Sequence, residues 1–155
     1  MKYLFVVIFA TMVNAQNHRT VTPAGNYFQF DTIRPMFYTL KWGNDRINRE
    51  YPDTIYCHYN TPSFIGENKN AIVLEVTPTN YGWYALVLPL NDSSETLQFE
   101  QAYAYDINRN LVAYCDDWDV DTDTALVVED FVTKEQHYFT AENSRYYSTI
   151  PCFRI

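Results

Sequence analysis

Short runs rich in Tyr, Phe, Val, Ile and Thr recur along the chain at intervals of roughly ten residues, with turn-forming residues between them. Helical periodicity is nearly absent, because the polar window Asn44–Glu50 could form only a single turn before Tyr51 and Pro52 end it. A chain of short strands without helices predicts an all-β antiparallel sandwich or barrel. The predicted strands are Tyr27–Phe30, Met36–Lys41, Thr54–Tyr59, Ala71–Thr77, Gly82–Pro89, Leu97–Asp106, Asn110–Cys115, Thr124–Val128 and Glu135–Thr140.

Two connections predict hairpins. The segment Asp106–Arg109 connects the strand that begins at Leu97 to the strand Asn110–Cys115. The segment Glu129–Val132 connects the last two predicted strands. Before the first hairpin, alternation predicts one long strand across Leu97–Asp106. One face of that strand would carry Phe99, Gln101, Tyr103 and Tyr105.

The spacing of Cys57 and Cys115 would suit the inter-sheet bridge of an immunoglobulin domain. That fold also requires a Trp soon after the first Cys and a Tyr two residues before the second. The next Trp is Trp83, which lies too far along, and the residue two before Cys115 is Ala113. We therefore predict a single-domain antiparallel β-sandwich, immunoglobulin-like in architecture but without the sequence hallmarks, with a β-barrel as the alternative.

Three cysteines allow one disulfide and leave one thiol over. Strand alternation turns Cys57 and Cys115 inward on their predicted strands, so we predict a bridge between these two. Cys152, in the C-terminal tail, is the alternative partner for either of them.

The segment Thr79–Leu86, TNYGWYAL, resembles the second lipocalin signature, in which a T-D-Y motif precedes an aromatic strand. The Gly-x-Trp that should open the first lipocalin strand is missing here. The resemblance implies a β-barrel that carries a small ligand, which we keep as an alternative function.

The first fifteen residues, MKYLFVVIFATMVNA, have the pattern of a signal peptide, with Lys2 ahead of an apolar run and Val13 and Ala15 before the cleavage point. The apolar run is shorter than the ~18 residues that a membrane span needs. The sequence therefore predicts a signal peptide at 1–15 and one β domain at 16–155. The product would be secreted and extracellular, or periplasmic in a bacterium, without membrane insertion.

The formal net charge of −8 argues against a nucleic-acid partner, which rewards a basic surface. Aromatic residues make up 17% of the chain, and Tyr and Trp dominate protein interfaces. Four of them are candidates for contact residues: the three tryptophans, which lie beside Gly or Asp near predicted strand ends or loops, and Tyr81. We predict that they contact an extracellular protein or glycan: Trp42, Trp83, Trp118 and Tyr81.

The stretch CDDWDVDTD, which begins at Cys115, is the most acidic part of the chain. Its aspartates partly match the spacing of an EF-hand loop, but Thr124 replaces the required Gly and strands flank it instead of helices. We interpret it as a solvated turn that exposes Trp118. A calcium site between β-loops is the alternative, with the ligands Asp117, Asp119, Asp121 and Asp123.

Catalytic motifs are scarce. The chain has no Gly-x-Ser-x-Gly elbow and no Gly-rich phosphate loop. His137 and Glu135 share a strand face, which would allow an acid/base pair, but an exposed pair without a catalytic role is far more common. A small secreted hydrolase with paired carboxylates is the second alternative function. Asn91 begins the sequon Asn91-Asp92-Ser93, a predicted glycosylation site in a turn. We predict a non-catalytic recognition module without a resident cofactor.

Overall fold

A computed structural model describes residues 18–58, 62–79, 82–115 and 124–140. Apart from the 3₁₀ turn Ile107–Arg109, their regular structure consists of β-strands, and none of their helices is long and apolar enough to cross a membrane. In chain order the strands are β1 His18–Val21, β2 Tyr27–Arg34, β3 Phe37–Gly43, β4 Asn48–Glu50, β5 Ile55–Tyr56, β6 Ser63–Glu67, β7 Ala71–Thr79, β8 Gly82–Pro89, β9 Leu97–Glu100, β10 Ala102–Asp106, β11 Leu111–Tyr114, β12 Thr124–Asp130 and β13 Gln136–Thr140.

The strands form three antiparallel sheets in which sequence neighbours pair. The first sheet has the order β1-β2-β3-β4, with β5 also paired to β3, the second is β6-β7-β8-β9, and the third is β10-β11-β12-β13. The predicted antiparallel sandwich is therefore confirmed. None of these sheets closes on itself within the described strands, so the β-barrel alternative is not found.

The second sheet lies between the other two, and its central strands β7 and β8 are buried on both faces. One face of β7 and β8 packs against the first sheet, and the other face packs against the third. The first core contains Phe28, Phe30, Leu40, Trp42, Ile55, Cys57, Ile72, Leu74, Val76, Leu86 and Leu88. The second core contains Ala71, Val73, Ala85, Val87, Phe99, Ala102, Val112, Tyr114, Val127 and Phe131.

The sequences of the strands explain this layering. β7 begins AIVLEV and β8 contains YALVLP, which are nearly continuous apolar runs of the kind found in strands buried on both faces. β2, in an outer sheet, instead alternates, because Phe28 and Phe30 point inward while Tyr27 and Gln29 do not.

The polar window Asn44–Glu50, which by its sequence could have formed one helical turn, is instead part of a β-hairpin. Asn44 donates its backbone N–H to the carbonyl of Ile47 at 2.8 Å, and its side chain accepts from the backbone N–H groups of Arg46 and Ile47. This Asx turn satisfies the backbone locally and returns the chain into β4. Strands β1 and β6 were not predicted from the sequence.

The single long strand predicted across Leu97–Asp106 is wrong. Gln101 interrupts it with a positive φ of 50°, so that β9 belongs to the second sheet and β10 to the third. A shift of register between Ala102 and Ala104 follows at once. The predicted common face of Phe99 and Tyr103 is therefore lost: Phe99 is buried, whereas Tyr103 is 41% exposed.

The predicted bridge between Cys57 and Cys115 is also wrong, because the two cysteines are not joined. Cys57 is buried in the first core, between the first and second sheets. Cys115 directly follows β11 in the third sheet. The second sheet thus separates them.

Candidate functional site

The tryptophans predicted to contact a partner have different surroundings. Trp42 is only 1% exposed, lies in the first core, and donates its indole N–H to the carbonyl of Pro89 at 2.9 Å. Its prediction as a surface contact is therefore wrong, since the ring joins the first sheet to the second. Trp83 is half-buried at the start of β8. Trp118 and Tyr81 lie outside the described residues.

Trp83 is held where the chain crosses from the second sheet to the third. Its indole N–H donates to the carbonyl of Ala102 at 2.8 Å, and its own carbonyl accepts from the backbone N–H of Gln101 at 2.9 Å. The ring packs edge-on against Tyr103, with centroids 5.5 Å apart and an interplanar angle of 87°. We call Trp83, Gln101, Ala102 and Tyr103 the aromatic corner.

Gln101 gives the aromatic corner an unusual backbone. A positive φ is uncommon outside glycine and costs conformational energy, and such residues concentrate at binding and catalytic sites. The side chain of Gln101 is buried and accepts a hydrogen bond from the Tyr103 hydroxyl at 3.2 Å. The strained residue therefore helps to fix the exposed ring of Tyr103.

The other predicted contact segments leave the described structure close to the aromatic corner. Ala102 pairs with Tyr114, the last residue of β11, and the acidic segment follows Cys115. Tyr81 directly precedes Gly82, which begins β8 next to Trp83. The fold thus brings the flanks of two sequence-predicted segments to one end of the sheets.

A cleft of about 300 Å³ opens beside the aromatic corner, between the edge strand β9 and the inner face of the third sheet. The rings of Phe99 and Tyr114 form its apolar part, with centroids 5.1 Å apart. Glu129 supplies a carboxylate and is only 7% exposed. We call this the Glu129 cleft, and its lining residues are Leu97, Gln98, Phe99, Glu100, Tyr114, Cys115 and Glu129.

Glu100 lines the same cleft, but its carboxylate belongs to the opposite side of β9. Glu100 pairs with Tyr84, which packs against the first core, and its carboxylate accepts a hydrogen bond from the Gln98 side chain. Burial raises the pKa of Tyr51, and the charges of Asp53 and Glu100 raise it further. Glu129 faces the second core, so the two glutamates of the cleft do not converge as a catalytic pair.

A second cleft, of about 260 Å³, lies where the β8–β9 connection meets the β12–β13 hairpin. Asn91 lines it in an exposed turn, and its side-chain oxygen accepts from the backbone N–H groups of Ser93 and Ser94. Lys134 lines it as well; burial lowers the pKa of its ammonium group, although nearby carboxylates oppose that effect. Glycosylation of Asn91 stays a prediction.

His137 and Glu135 lie 3.5 Å apart, and both side chains are exposed, by 64% and 70%. They line neither of the clefts described above. The calcium ligands predicted at Asp117, Asp119, Asp121 and Asp123 lie outside the described residues. Among residues 18–58, 62–79, 82–115 and 124–140, no cluster of three or more His, Cys, Asp or Glu side chains is arranged to hold a metal ion.

Sequence reasoning missed Gln101, Tyr103 and Glu129 as site residues. No sequence signal marks the positive φ of Gln101, because glutamine has no preference for that region. Glu129 did leave a signal. In β12 it lies two residues after Val127, so alternation assigns a carboxylate to the buried face of the strand.

Comparison with known proteins gives no matching family model, no matching curated protein and no matching solved structure.

Proposed function

We propose that this protein is a secreted, non-catalytic recognition module that binds an extracellular macromolecular partner through the aromatic corner. The observation that carries the proposal is the Trp83–Tyr103 pair, two large aromatic side chains fixed edge-on at the crossing between two sheets. Aromatic residues held in this way are the usual anchors of protein interfaces.

The two rings of the aromatic corner are already held in place in the protein without a partner. Hydrogen bonds from Trp83 to Ala102, from Gln101 to Trp83, and from Tyr103 to Gln101 restrict both rings. Ordering a side chain on binding costs about 0.5–1.5 kcal/mol, and a ring that is already ordered avoids much of that cost. Rigid, partly exposed aromatics therefore support recognition as the role of this end of the molecule.

The arrangement of the clefts favours recognition over the two alternative functions. A paired-carboxylate hydrolase needs two carboxyl groups that converge on one bond, whereas Glu100 and Glu129 belong to opposite sides of β9. A lipocalin-like carrier needs an internal cavity lined by the core aromatics. The two clefts described above open at strand edges and connections, at the margin of the second core.

The proposal is tested by capture of partners from the extracellular fluid of the source organism, with the protein as bait. We expect Trp83→Ala and Tyr103→Ala each to remove the captured partner, because each deletes one ring of the pair. Tyr27→Ala is the matched control, since this half-buried ring lies on the first sheet and packs against Arg19. Equal capture by wild type, Trp83→Ala and Tyr103→Ala would contradict the proposal.

A further inference from the structure

Glu129 is the only buried Asp, Glu, Lys or Arg side chain in the described part of the chain. Two neutral donors hold one of its carboxylate oxygens. Oε2 accepts from the Tyr114 hydroxyl at 2.9 Å and from the Gln136 side-chain amide at 2.7 Å. These bonds orient the carboxylate but supply no positive charge.

The second oxygen of Glu129 has no such partner among the described residues. No hydrogen bond from the residues that the structure describes reaches Oε1. Every side-chain nitrogen or oxygen sealed from solvent among those residues does have a hydrogen-bond partner. Oε1 is therefore not sealed, and Glu129 lines the cleft. This nearly buried carboxylate thus keeps one oxygen that is not sealed from solvent, in a residue that lines a cavity of about 300 Å³.

Among the residues that the structure describes, no cation forms an ion pair with this carboxylate. The ion pairs between described residues are Lys41–Asp31, Arg109–Asp106 and His137–Glu135. The charge of Glu129 acts on Lys134, but these two groups do not form an ion pair. A buried carboxylate without a cation carries a desolvation cost that an incoming positive group can offset.

The walls of the Glu129 cleft suit a basic amino-acid side chain. Phe99 and Tyr114 offer ring faces and edges against which the aliphatic stem of Lys or Arg can pack. An ammonium or guanidinium group near these rings also gains cation–π attraction. A cavity of this volume lies at the small end of ligand sites, which fits one side chain better than a larger molecule.

We propose that the Glu129 cleft binds a single Arg or Lys side chain of the protein partner that contacts the aromatic corner. This assignment rests on the proposed function, and it names the chemistry of the partner. The two sites are contiguous, because Tyr114 of the cleft pairs with Ala102, whose carbonyl holds Trp83. The net charge of −8 adds a long-range attraction for a basic partner.

The cleft can be tested with a small probe before any partner is known. Acetyl-arginine amide is titrated into the protein while the side-chain amide signals of Gln136 are followed by NMR. We expect a saturable shift, because Gln136 donates to the same carboxylate that the guanidinium would meet. Acetyl-citrulline amide has nearly the same shape without the charge, and it should bind at least ~10-fold more weakly.

A pair of variants tests the role of Glu129 itself. Glu129→Gln removes the charge while keeping the shape, and it should weaken acetyl-arginine amide binding at least ~10-fold. Glu50→Gln removes the same charge from an exposed position in β4 and should leave binding unchanged. If Glu129→Gln does not fold, the comparison of arginine and citrulline probes in the wild-type protein decides the question.

Three results would overturn the assignment: no saturable shift, equal binding of the citrulline probe, or wild-type affinity in Glu129→Gln. A free polyamine offers the same charge from a different source, so tighter binding of putrescine than of acetyl-arginine amide would overturn the assignment to a protein side chain. None of these results depends on capture of a partner. Loss of capture in Trp83→Ala would therefore still support the aromatic corner if the probe failed to bind.

Discussion

The contrast between Trp42 and Trp83 gives the sharpest test of the fold. Both indoles donate to a backbone carbonyl, at 2.9 Å and 2.8 Å, but Trp42 is 1% exposed whereas Trp83 is half-buried. Replacing each by Phe removes the same ring and the same donor. The two positions differ in burial: the hydrogen bond of Trp42 is buried, whereas that of Trp83 is only partly buried.

The expected magnitudes follow from that difference. In Trp42→Phe the buried carbonyl of Pro89 loses the indole donor, which costs about 1–3 kcal/mol. The smaller ring adds on the order of 1 kcal/mol for lost burial and the space left behind. In Trp83→Phe the ring is half-buried and its hydrogen bond to Ala102 is only partly buried, so less burial is lost and the loss should be about 0.5–1.5 kcal/mol.

Urea unfolding followed by circular dichroism measures both variants against the wild type. A difference of about 2 kcal/mol between them corresponds to a difference in midpoint of about 1 M urea at a typical slope. Trp83→Phe should unfold close to the wild type, and Trp42→Phe clearly earlier. Equal losses, or a larger loss for Trp83→Phe, would refute the assignment of Trp42 to the core and Trp83 to the surface.

Three further predictions concern residues that the sequence did not single out, or assigned differently. Burial opposes ionisation of Glu67, but hydrogen bonds from Asn26, Thr22 and the Ala24 N–H prevail and lower its pKa below 4.5. The ionised Glu67 therefore stabilises the fold above that pH, and this stabilisation is lost as the pH falls through the lowered pKa. Melting temperatures between about pH 6 and about pH 3 should therefore fall less steeply in Glu67→Gln than in the wild type, and identical slopes would contradict this role. Burial raises the pKa of Cys57 to about 11, so iodoacetamide should alkylate this thiol only after unfolding, and rapid labelling of native protein would show that Cys57 is not in the core. A Cβ on Gly43 would lie 1.8 Å from the carbonyl oxygen of Ile47, so Gly43→Ala should destabilise the protein by more than about 2 kcal/mol in urea unfolding. In the control Gly25→Ala the added Cβ meets no atom within 4 Å, so the only loss of stability should be the strain of an alanine at a positive φ.

Local patterns in the sequence predicted most of the strands but not their distribution among sheets. Gly82–Pro89 was predicted with the bounds that the structure shows, because its apolar run ends at turn residues. The crossing at Gln101 was not predicted, since the alternation continues through it and conceals the change of sheet. Both wrong site predictions, the Cys57–Cys115 bridge and the surface role of Trp42, follow from this missing information about layers.

The candidate site was only partly predictable for the same reason. Trp83 was predicted as a contact residue because it lies beside Gly near a predicted strand end, and its contact with a partner stays a prediction. The Glu129 cleft was not predicted, because it forms only where β9 and the third sheet lie against each other. Local periodicity does not determine which strands become neighbours.

The most direct test of the proposed function is the affinity of the captured partner for the wild-type protein, Trp83→Ala and Tyr27→Ala. An aromatic anchor removed from an interface typically costs about 2 kcal/mol or more, so Trp83→Ala should weaken binding at least ~30-fold. Tyr27→Ala should bind as the wild type does. Wild-type affinity in Trp83→Ala, with loss of binding in Tyr27→Ala, would move the recognition surface to the first sheet and contradict the role of the aromatic corner.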